Sequence, residues 1–402
     1  MSGWKTTTLG DMTEVVTKGT TPSTLGEGFT TQGVNFIKSE AVSYDGKINK
    51  STFVYISYGM HEKLKRSQLK ENDILFSMAG IFLGKTGLVT KEMLPANTNQ
   101  AIAIIRVNQN LAIPRFVHYF LRQKSTIEYV NNISGQSAQP NINFQEIKSI
   151  ELALPSIEEQ KAIAAVLSSL DDKIDLLHRQ NSTLEAMAET LFRQWFVEEA
   201  PEDWVRKPIG EVLTTVLGGT PSTTKPEFWN GSVPWINSGE INKFRILEAT
   251  KFISELGLKK SNAKLLPIGT TVVAITGATL GQVSLLEIET CANQSVIGII
   301  PSEQLPKEYV FLWIKLKIEE IILNETGGAQ PHINKNDINN TEILIPPSDL
   351  LSEKNKIFEA WFCKIRSNVF QIRTLERLRD NLLPKLMSGE VRVKHSRKSN
   401  VH

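Results

Sequence analysis

The residues with the strongest claim to chemistry lie in one stretch, Ala79-Gly80-Ile81-Phe82-Leu83-Gly84-Lys85-Thr86. Its glycines, lysine and threonine follow the spacing of a phosphate-cradling loop, in which backbone N–H groups hold the phosphates and the lysine reaches them. An alanine fills the first glycine place, and a parallel stretch, Thr276-Gly277-Ala278-Thr279-Leu280-Gly281-Gln282-Val283, lacks the lysine. A pattern kept in duplicate without its charged residue reads as a strand-to-turn element. The six histidines, His61, His118, His178, His332, His395 and His402, show no metal-ligand spacing and join no Ser or Cys nucleophile motif. They are expected to be surface or satisfied polar residues. Ile345-Pro346-Pro347-Ser348 has the paired prolines of an adenine-modifying loop. It lacks the preceding Asp or Asn for the amine and the following aromatic to stack on the base. No glycine-rich cofactor fingerprint is found. No catalytic, cofactor-binding or metal-binding residue is assigned, and an enzyme is not expected.

The composition is that of a globular protein. Of 402 residues, 41% are hydrophobic and 22% charged, and the net charge is +2. No apolar run approaches a membrane span, and the N-terminus has no apolar signal core. Cys291 and Cys363 cannot form a disulfide framework or a zinc site, which leaves the cytoplasm as the expected location. Charge distribution is more telling than its sum. Residues 1–155 carry +4, 156–203 carry −7, 204–347 carry −1 and 348–402 carry +6.

An internal repeat organises these segments. Trp4 and Leu9-Gly10-Asp11 recur as Trp204 and Ile209-Gly210-Glu211. Gly19-Thr20-Thr21-Pro22-Ser23 recurs as Gly218-Gly219-Thr220-Pro221-Ser222, and Phe36-Ile37-Lys38-Ser39 as Trp235-Ile236-Asn237-Ser238. Ala79-Gly80 with Gly84, Asn99-Gln100, and Gln139-Pro140-Asn141-Ile142-Asn143 recur as Thr276-Gly277 with Gly281, Asn293-Gln294, and Gln330-Pro331-His332-Ile333-Asn334. Six matches in one order are hard to attribute to chance. Within each copy, Ala101–Ile105 and Thr271–Ile275 read as buried strands, and Arg115–Tyr129 and Lys307–Leu323 as amphipathic helices. Each copy is one α/β (α+β) domain followed by one long helix.

The helices share a heptad register. Ser156 with Glu159 predicts a capping box at the first helix start. Ile163, Leu167, Leu170, Ile174, Leu177, Asn181, Leu184, Ala188, Leu191 and Trp195 follow in alternating steps of four and three, as in a coiled-coil seam. A shift of 191 residues gives Lys354, Phe358, Trp361, Ile365, Asn368, Ile372, Leu375, Arg379, Leu382 and Leu386, with Asn368 and Arg379 as polar interruptions. Pro384 is expected to kink or end the second helix. Opposite charge on the two helices favours pairing them with each other over packing each on its own domain. The seam would be roughly 50 Å long at the α-helical rise. Antiparallel pairing would set the two domains at opposite ends of a rod longer than one turn of B-DNA, roughly 34 Å.

These features resemble the specificity subunit of type I restriction–modification systems. The resemblance covers nearly the whole chain. It is carried by Leu154-Pro155-Ser156-Ile157-Glu158-Glu159-Gln160-Lys161-Ala162-Ile163, by Leu184–Phe196 ending Leu191-Phe192-Arg193-Gln194-Trp195-Phe196, and by Asn381–Val391. The second helix start, Pro346–Glu353, departs from the Glu-Glu-Gln pattern of the first, and a slightly different start is expected there. The resemblance implies two target-recognition domains, residues 1–155 and 201–347, with pseudo-two-fold symmetry. Two long antiparallel coiled-coil helices, 156–200 and 348–390, act as spacers, and residues 391–402 form a disordered basic tail. It also implies that each domain reads one half of a split, asymmetric site on double-stranded DNA. Two methyltransferase subunits would dock on the helices, and motor–nuclease subunits would join them. S-adenosylmethionine, ATP and Mg would be used by those partners and none by this chain.

Base reading needs Arg, Lys, Asn or Gln at base edges, with further contacts to phosphates for register. The candidates are Lys63, Lys65, Arg66 and Lys85, interleaved with Tyr55, Tyr58 and His61, and, in the second copy, Lys243, Arg245, Lys259, Lys260 and Lys264. The second domain's net −1 requires a locally basic surface, with Glu319, Glu320 and Glu325 turned elsewhere. The expected seam residues are Leu167, Leu170, Ile174, Leu177, Leu184, Leu191, Phe358, Ile365, Ile372, Leu375 and Leu382. The alternative is a coiled-coil scaffold that assembles proteins without touching DNA.

Overall fold

The computed structural model describes residues 3–80, 83–133, 140–325 and 332–393, apart from the side chains of 324 and 325. Ile81, Phe82, Gln139, Gln330, Pro331 and residues 394–402 of the tail expected to be disordered lie outside the described residues. The chain forms two compact units, 1–175 with 373–402, and 176–372. The units do not follow the segments drawn from sequence, because each combines one α/β domain with half of each long helix.

In the first unit, β1 (Lys5–Thr8), β2 (Thr13–Lys18), β3 (Val34–Ile37) and β4 (Val54–Ile56) lead to α1 (Tyr58–Lys63). Then come β5 (Ile74–Ser77), β6 (Thr86–Leu88), β7 (Ala96–Thr98), β8 (Ile102–Val107), α2 (Pro114–Leu121), α3 (Lys124–Ile133), α4 (Phe144–Lys148), β9 (Glu151–Leu154) and the long α5 (Ile157–Arg193). Strands β2-β8-β5-β6 form one antiparallel sheet, and β4-β3-β7 form a second in which β3 and β7 run parallel. A ribbon of β1 and β9 closes the domain. Ile74, Phe76, Ala103 and Ile105 pack with Phe116, Val117 and Leu167 on one face of the larger sheet. Leu75, Ile102 and Ile104 pack with Ile37, Val42 and Ile48 on the other. Burial on both faces is why these strands read as continuous apolar runs. The single helix expected over 115–129 is two. Gln123 and Thr126 side chains bond the Phe120 carbonyl, which ends α2 and starts α3.

The second unit repeats this plan. Its elements are β10 (Val205–Pro208), α6 (Ile209–Val212), β11 (Thr214–Leu217), β12 (Trp229–Ile236), β13 (Arg245–Ile246), β14 (Lys251–Ile253), α7 (Glu255–Lys259), β15 (Leu265–Leu266), β16 (Thr271–Ala274), β17 (Val283–Leu286), β18 (Thr290–Ala292), β19 (Val296–Ile300), α8 (Lys307–Glu325), α9 (Lys335–Asn340), β20 (Glu342–Ile345) and α10 (Ser348–Ser388). The sheets are β11-β19-β16-β17-β13 and β14-β12-β18-β15, with β12 and β18 parallel and a β10–β20 ribbon. Helix α8 is not amphipathic in its first half. Tyr309 through Ile314 are all buried, because α8 is enclosed by the sheet and by Phe192, Phe358 and Phe362 of the long helices.

The sequence matches are the positions the fold constrains most. Gly80 and Gly84, like Gly277 and Gly281, have left-handed φ of +68° to +82°, where a side chain is strained. The phosphate-loop pattern is thus a turn joining β5 to β6 and β16 to β17. Its amides close on the strands in the same way, Gly84 to the Ser77 carbonyl and Gly281 to that of Ala274. A Cβ on Gly10 would press on Lys148 in α4, and one on Gly210 on Asn339 in α9. Asn143 and Asn334 each form a complete capping box, with Glu146 and Asp337.

The long helices meet within each unit. In the first, Asp171 of α5 bonds Arg379 of α10 at 2.9 Å, and Glu159 pairs with Arg392 just beyond α10, which makes the helices antiparallel. In the second, the Asn368 amide donates to the Asn181 side chain at 2.9 Å, and the rings of Phe192 and Trp195 pack at a tilt against Phe358. Leu167, Ile174, Leu177, Phe358, Ile365 and Ile372 are buried, and Leu170, Leu184, Leu191, Leu375 and Leu382 half-buried, as the register requires. The choice posed by the sequence, pairing or packing on the domain, is resolved as both. Leu167 joins the first domain's core, and Ala188, Phe192, Phe358 and Ile365 join the second's. Each of these Leu, Ile and Phe side chains contributes about 1.5–3 kcal/mol of burial. The predicted capping box is only half made. Ser156 accepts from the Glu159 amide at 3.3 Å, but the Glu159 carboxylate goes to Trp4 and Arg392. Nor does Pro384 end α10, which runs on to Ser388. Among the described residues no helix is long and apolar enough to cross a membrane.

Candidate nucleic-acid interface

The basic candidates fall on equivalent pieces of the two units. In the first, Ser57 follows β4 and caps α1 by accepting from the Met60 amide at 3.0 Å. The chain then turns through Lys65-Arg66-Ser67 toward β5. In the second, Ser254 follows β14 and caps α7 by accepting from the Gly257 amide at 3.0 Å. The loop from α7 to β15 carries Lys259, Lys260 and Lys264. In both units this strand–helix–loop hangs on the smaller sheet, while the larger sheet holds the core against the long helices.

Lys63, Lys65 and Arg66 are exposed. Lys63 pairs with Glu27 at 2.7 Å, Arg66 donates to the Thr20 hydroxyl at 3.2 Å, and Lys65 has no ion pair among the described residues. Beside them Tyr58 is 67% exposed and Tyr55 36%. His61 is not part of that surface. Its ring bonds Asn97, whose amide holds the Leu64 carbonyl and the Ser67 hydroxyl, so His61 braces the loop from behind. In the second unit Lys259, Lys260 and Lys264 are exposed, without ion pairs among the described residues. Two neighbours were missed in the sequence. Lys251 is exposed, and Phe252, at the place of Tyr55, is 42% exposed. The matching signal was the shared Ser cap one residue after each strand.

These four lysines supply the local basic surface that the unit's net charge hides, although Glu255 shares α7 with Lys259. Glu319 and Glu320 lie on α8, which packs on the other sheet, and the Glu325 side chain lies outside the described residues.

Three candidates do not join the clusters. Arg245 is 4% exposed. It is paired with Glu287, stacks 4.9 Å over Phe362 and donates to the Phe362 carbonyl at 3.1 Å. Glu287 in turn receives Arg366 of α10 at 2.7 Å. A guanidinium so placed cannot meet a base edge, and Arg245 is corrected to a fastener between domain and helix. Lys85 is half-buried at the β5–β6 turn, 4.9 Å over the Tyr44 ring. Lys243 is exposed but precedes β13, on the larger sheet.

Of two further polar groups in the first unit, His118 departs from expectation. His118 is buried in α2, its Nε2 without a partner among the described residues. Burial and then the nearby Arg122 charge push its pKa down to about 3, so the ring is neutral. Asp171 accepts from Tyr119 at 2.7 Å and from Arg122 and Arg379 at 2.9 Å each. Burial alone would raise its pKa, but the Arg122 charge and these bonds outweigh burial and hold it below the ordinary value. Both groups lie at the helix side of the domain and serve its architecture.

The chain compares with known proteins along nearly its full length. The family model of the type I restriction modification DNA specificity domain matches residues 1–186 and 201–361. The MjaIX type I restriction enzyme specificity subunit of Methanocaldococcus jannaschii is 28% identical, over 97% of this chain and 94% of that one. The HindI specificity subunit of Haemophilus influenzae is 24% identical, over 81% and 88%. A crystal structure of the type I restriction-modification S subunit from M. genitalium shares the fold, with a TM-score of 0.62 and 17% identity over 96% of both chains. With the family model covering both α/β units and these relatives being specificity subunits, the chain belongs to the type I restriction–modification DNA specificity family, as a non-catalytic specificity subunit.

Proposed function

We propose that this specificity subunit reads a bipartite, asymmetric site on double-stranded DNA, one half with each unit. The observation that carries the reading is the double construction of one domain, each copy bearing an exposed lysine-rich loop beside an aromatic side chain. Cations placed this way neutralise phosphates, and the variable loop side chains reach base edges. The loops differ where they would read. Tyr58 and Arg66 of the first have no counterpart of the same type in the second, which suits two different half-sites.

In this proposal the paired helices fix the unread gap between half-sites and scaffold the other subunits. Two methyltransferase subunits dock on them and supply S-adenosylmethionine chemistry, and motor–nuclease subunits add ATP- and Mg-dependent translocation and cleavage. The setting is the cytoplasm.

The test is methylome mapping of a host carrying the complete complex. Exchanging residues 204–347 for the corresponding segment of another specificity subunit should change one half of the methylated site and leave the other half intact. Unchanged methylation, or no DNA binding at low salt by either the parent or the hybrid complex, would favour the protein-only scaffold.

A further inference from the structure

The turn Gly19–Ser23 and the dipeptide Asn99-Gln100 are two separate sequence matches that the fold brings into contact, and it does so twice. Thr20 and Gly19 amides bond the Thr98 and Ile102 carbonyls. Gly219 and Gly218 amides bond those of Ala292 and Val296. The Thr21 hydroxyl then meets the Gln100 side-chain oxygen, and the Thr220 hydroxyl meets that of Gln294.

Most of the repeated residues have an architectural reason. A Cβ on Gly19 or Gly218 would fall 2.0–2.1 Å from a carbonyl oxygen, and Pro22 and Pro221 are buried. Gln100 and Gln294 have none, since both are exposed and fill no core. With its oxygen held by threonine, each amide is fixed in orientation, and neither Nε2 has a partner among the described residues. The pairs stand beside the basic loops. Arg66 bonds Thr20 of the first turn, and Gly219 of the second packs on the Asn262–Ala263 backbone.

We infer that Thr21–Gln100 and Thr220–Gln294 are a duplicated seat for DNA phosphate, one per unit, which sets register and leaves sequence reading to the loops. The reasoning rests on the bipartite reading proposed above. A group present identically in both readers cannot tell two different half-sites apart, so it serves what the half-sites share, the sugar–phosphate backbone. Neutral amide donors of fixed orientation are among the groups that make such contacts.

The experiment uses the complex with its methyltransferase subunits and labelled duplexes carrying the cognate site or a scrambled one. Gln100→Ala and Gln294→Ala should each weaken cognate and scrambled binding by the same factor, about three- to tenfold, the range of one hydrogen bond. The cognate-to-scrambled ratio and the melting temperature should stay at wild-type values. Thr21→Val, which frees the amide without removing it, should give a smaller uniform loss. Gln100→Glu should weaken binding further at low salt, with the penalty shrinking as salt is raised, because a carboxylate repels phosphate and screening hides the repulsion. A change in the ratio would make Gln100 a base reader and overturn the inference, as would unchanged affinity for both duplexes. Failure of the wild-type complex to prefer any duplex in a random-sequence selection would instead remove the bipartite reading, and this inference with it.

Discussion

The two units are one design fastened in two ways. In the first, the apolar packing of helix on domain is supplemented by charge, with Asp171 gathering Tyr119, Arg122 and Arg379, and Lys47 pairing with Asp175 of α5 at 2.6 Å. In the second, an aromatic nest of Phe192, Phe196, Tyr309, Trp313 and Phe358 packs helix on domain, and the ionic fastener is Arg245–Glu287–Arg366. Asp175 and Arg366 are related by the same 191-residue shift as the heptads. The fold therefore asks for an ion pair at this place on each helix and is indifferent to its polarity. Duplication preserved the backbone's demands and left side-chain chemistry free to diverge.

The sharpest break between the units should come from Phe192→Ala. It empties the centre of the aromatic nest and should cost about 3–5 kcal/mol. Peptide-resolved hydrogen exchange should show the loss in residues 204–347 ahead of residues 5–154, and equal protection in both would dissolve the contrast. Asp171→Ala acts on the other unit. It leaves Arg122 and Arg379 without their shared carboxylate at a site only 17% exposed and should cost about 2–3 kcal/mol, less than a fully buried pair. Because the Asp171 pKa is depressed in the fold, its contribution is present above the ordinary carboxylate range and fades as pH falls through the folded value. Acid melts of wild type and variant should therefore converge at low pH, and curves that stay parallel would deny Asp171 its charge.

His118 provides a third contrast, since the buried stretch Tyr309–Ile314 of α8 holds no imidazole. With its folded pKa near 3, the unfolded chain binds the extra proton first. The first unit should lose stability as pH drops below about 6.5, by about 2 kcal/mol at pH 5. His118→Phe should flatten that part of the profile, and an unaltered acid slope would place its origin elsewhere. The smallest effect on stability belongs to the loops. Lys65→Ala and Lys260→Ala should each shift unfolding by under about 0.5 kcal/mol. Each should also lower by about one the slope of log affinity for DNA against log salt. A full slope in both variants would move the phosphate contacts off these loops.

The duplicated α/β plan, the heptad register of both helices and the absence of a catalytic motif could be read from residue order. Glycines at left-handed turns, Asn caps, apolar strand runs and seam leucines obey local patterns, so each leaves a mark within a few residues of itself. The basic loops were legible as clusters, and their shared Ser57 and Ser254 caps could have led to Lys251 and Phe252. What the chain did not disclose were choices between partners far apart in sequence. Arg245 reads as a surface cation until Glu287 and Phe362 close over it, and Glu159 reads as a helix cap until Trp4 and Arg392 claim its carboxylate. Gln100 becomes notable only when Thr21 is found against it. Composition and spacing fix which backbone conformations are cheap. The fate of a charged or amide side chain depends on which distant groups exclude water around it, and only the folded arrangement settles that.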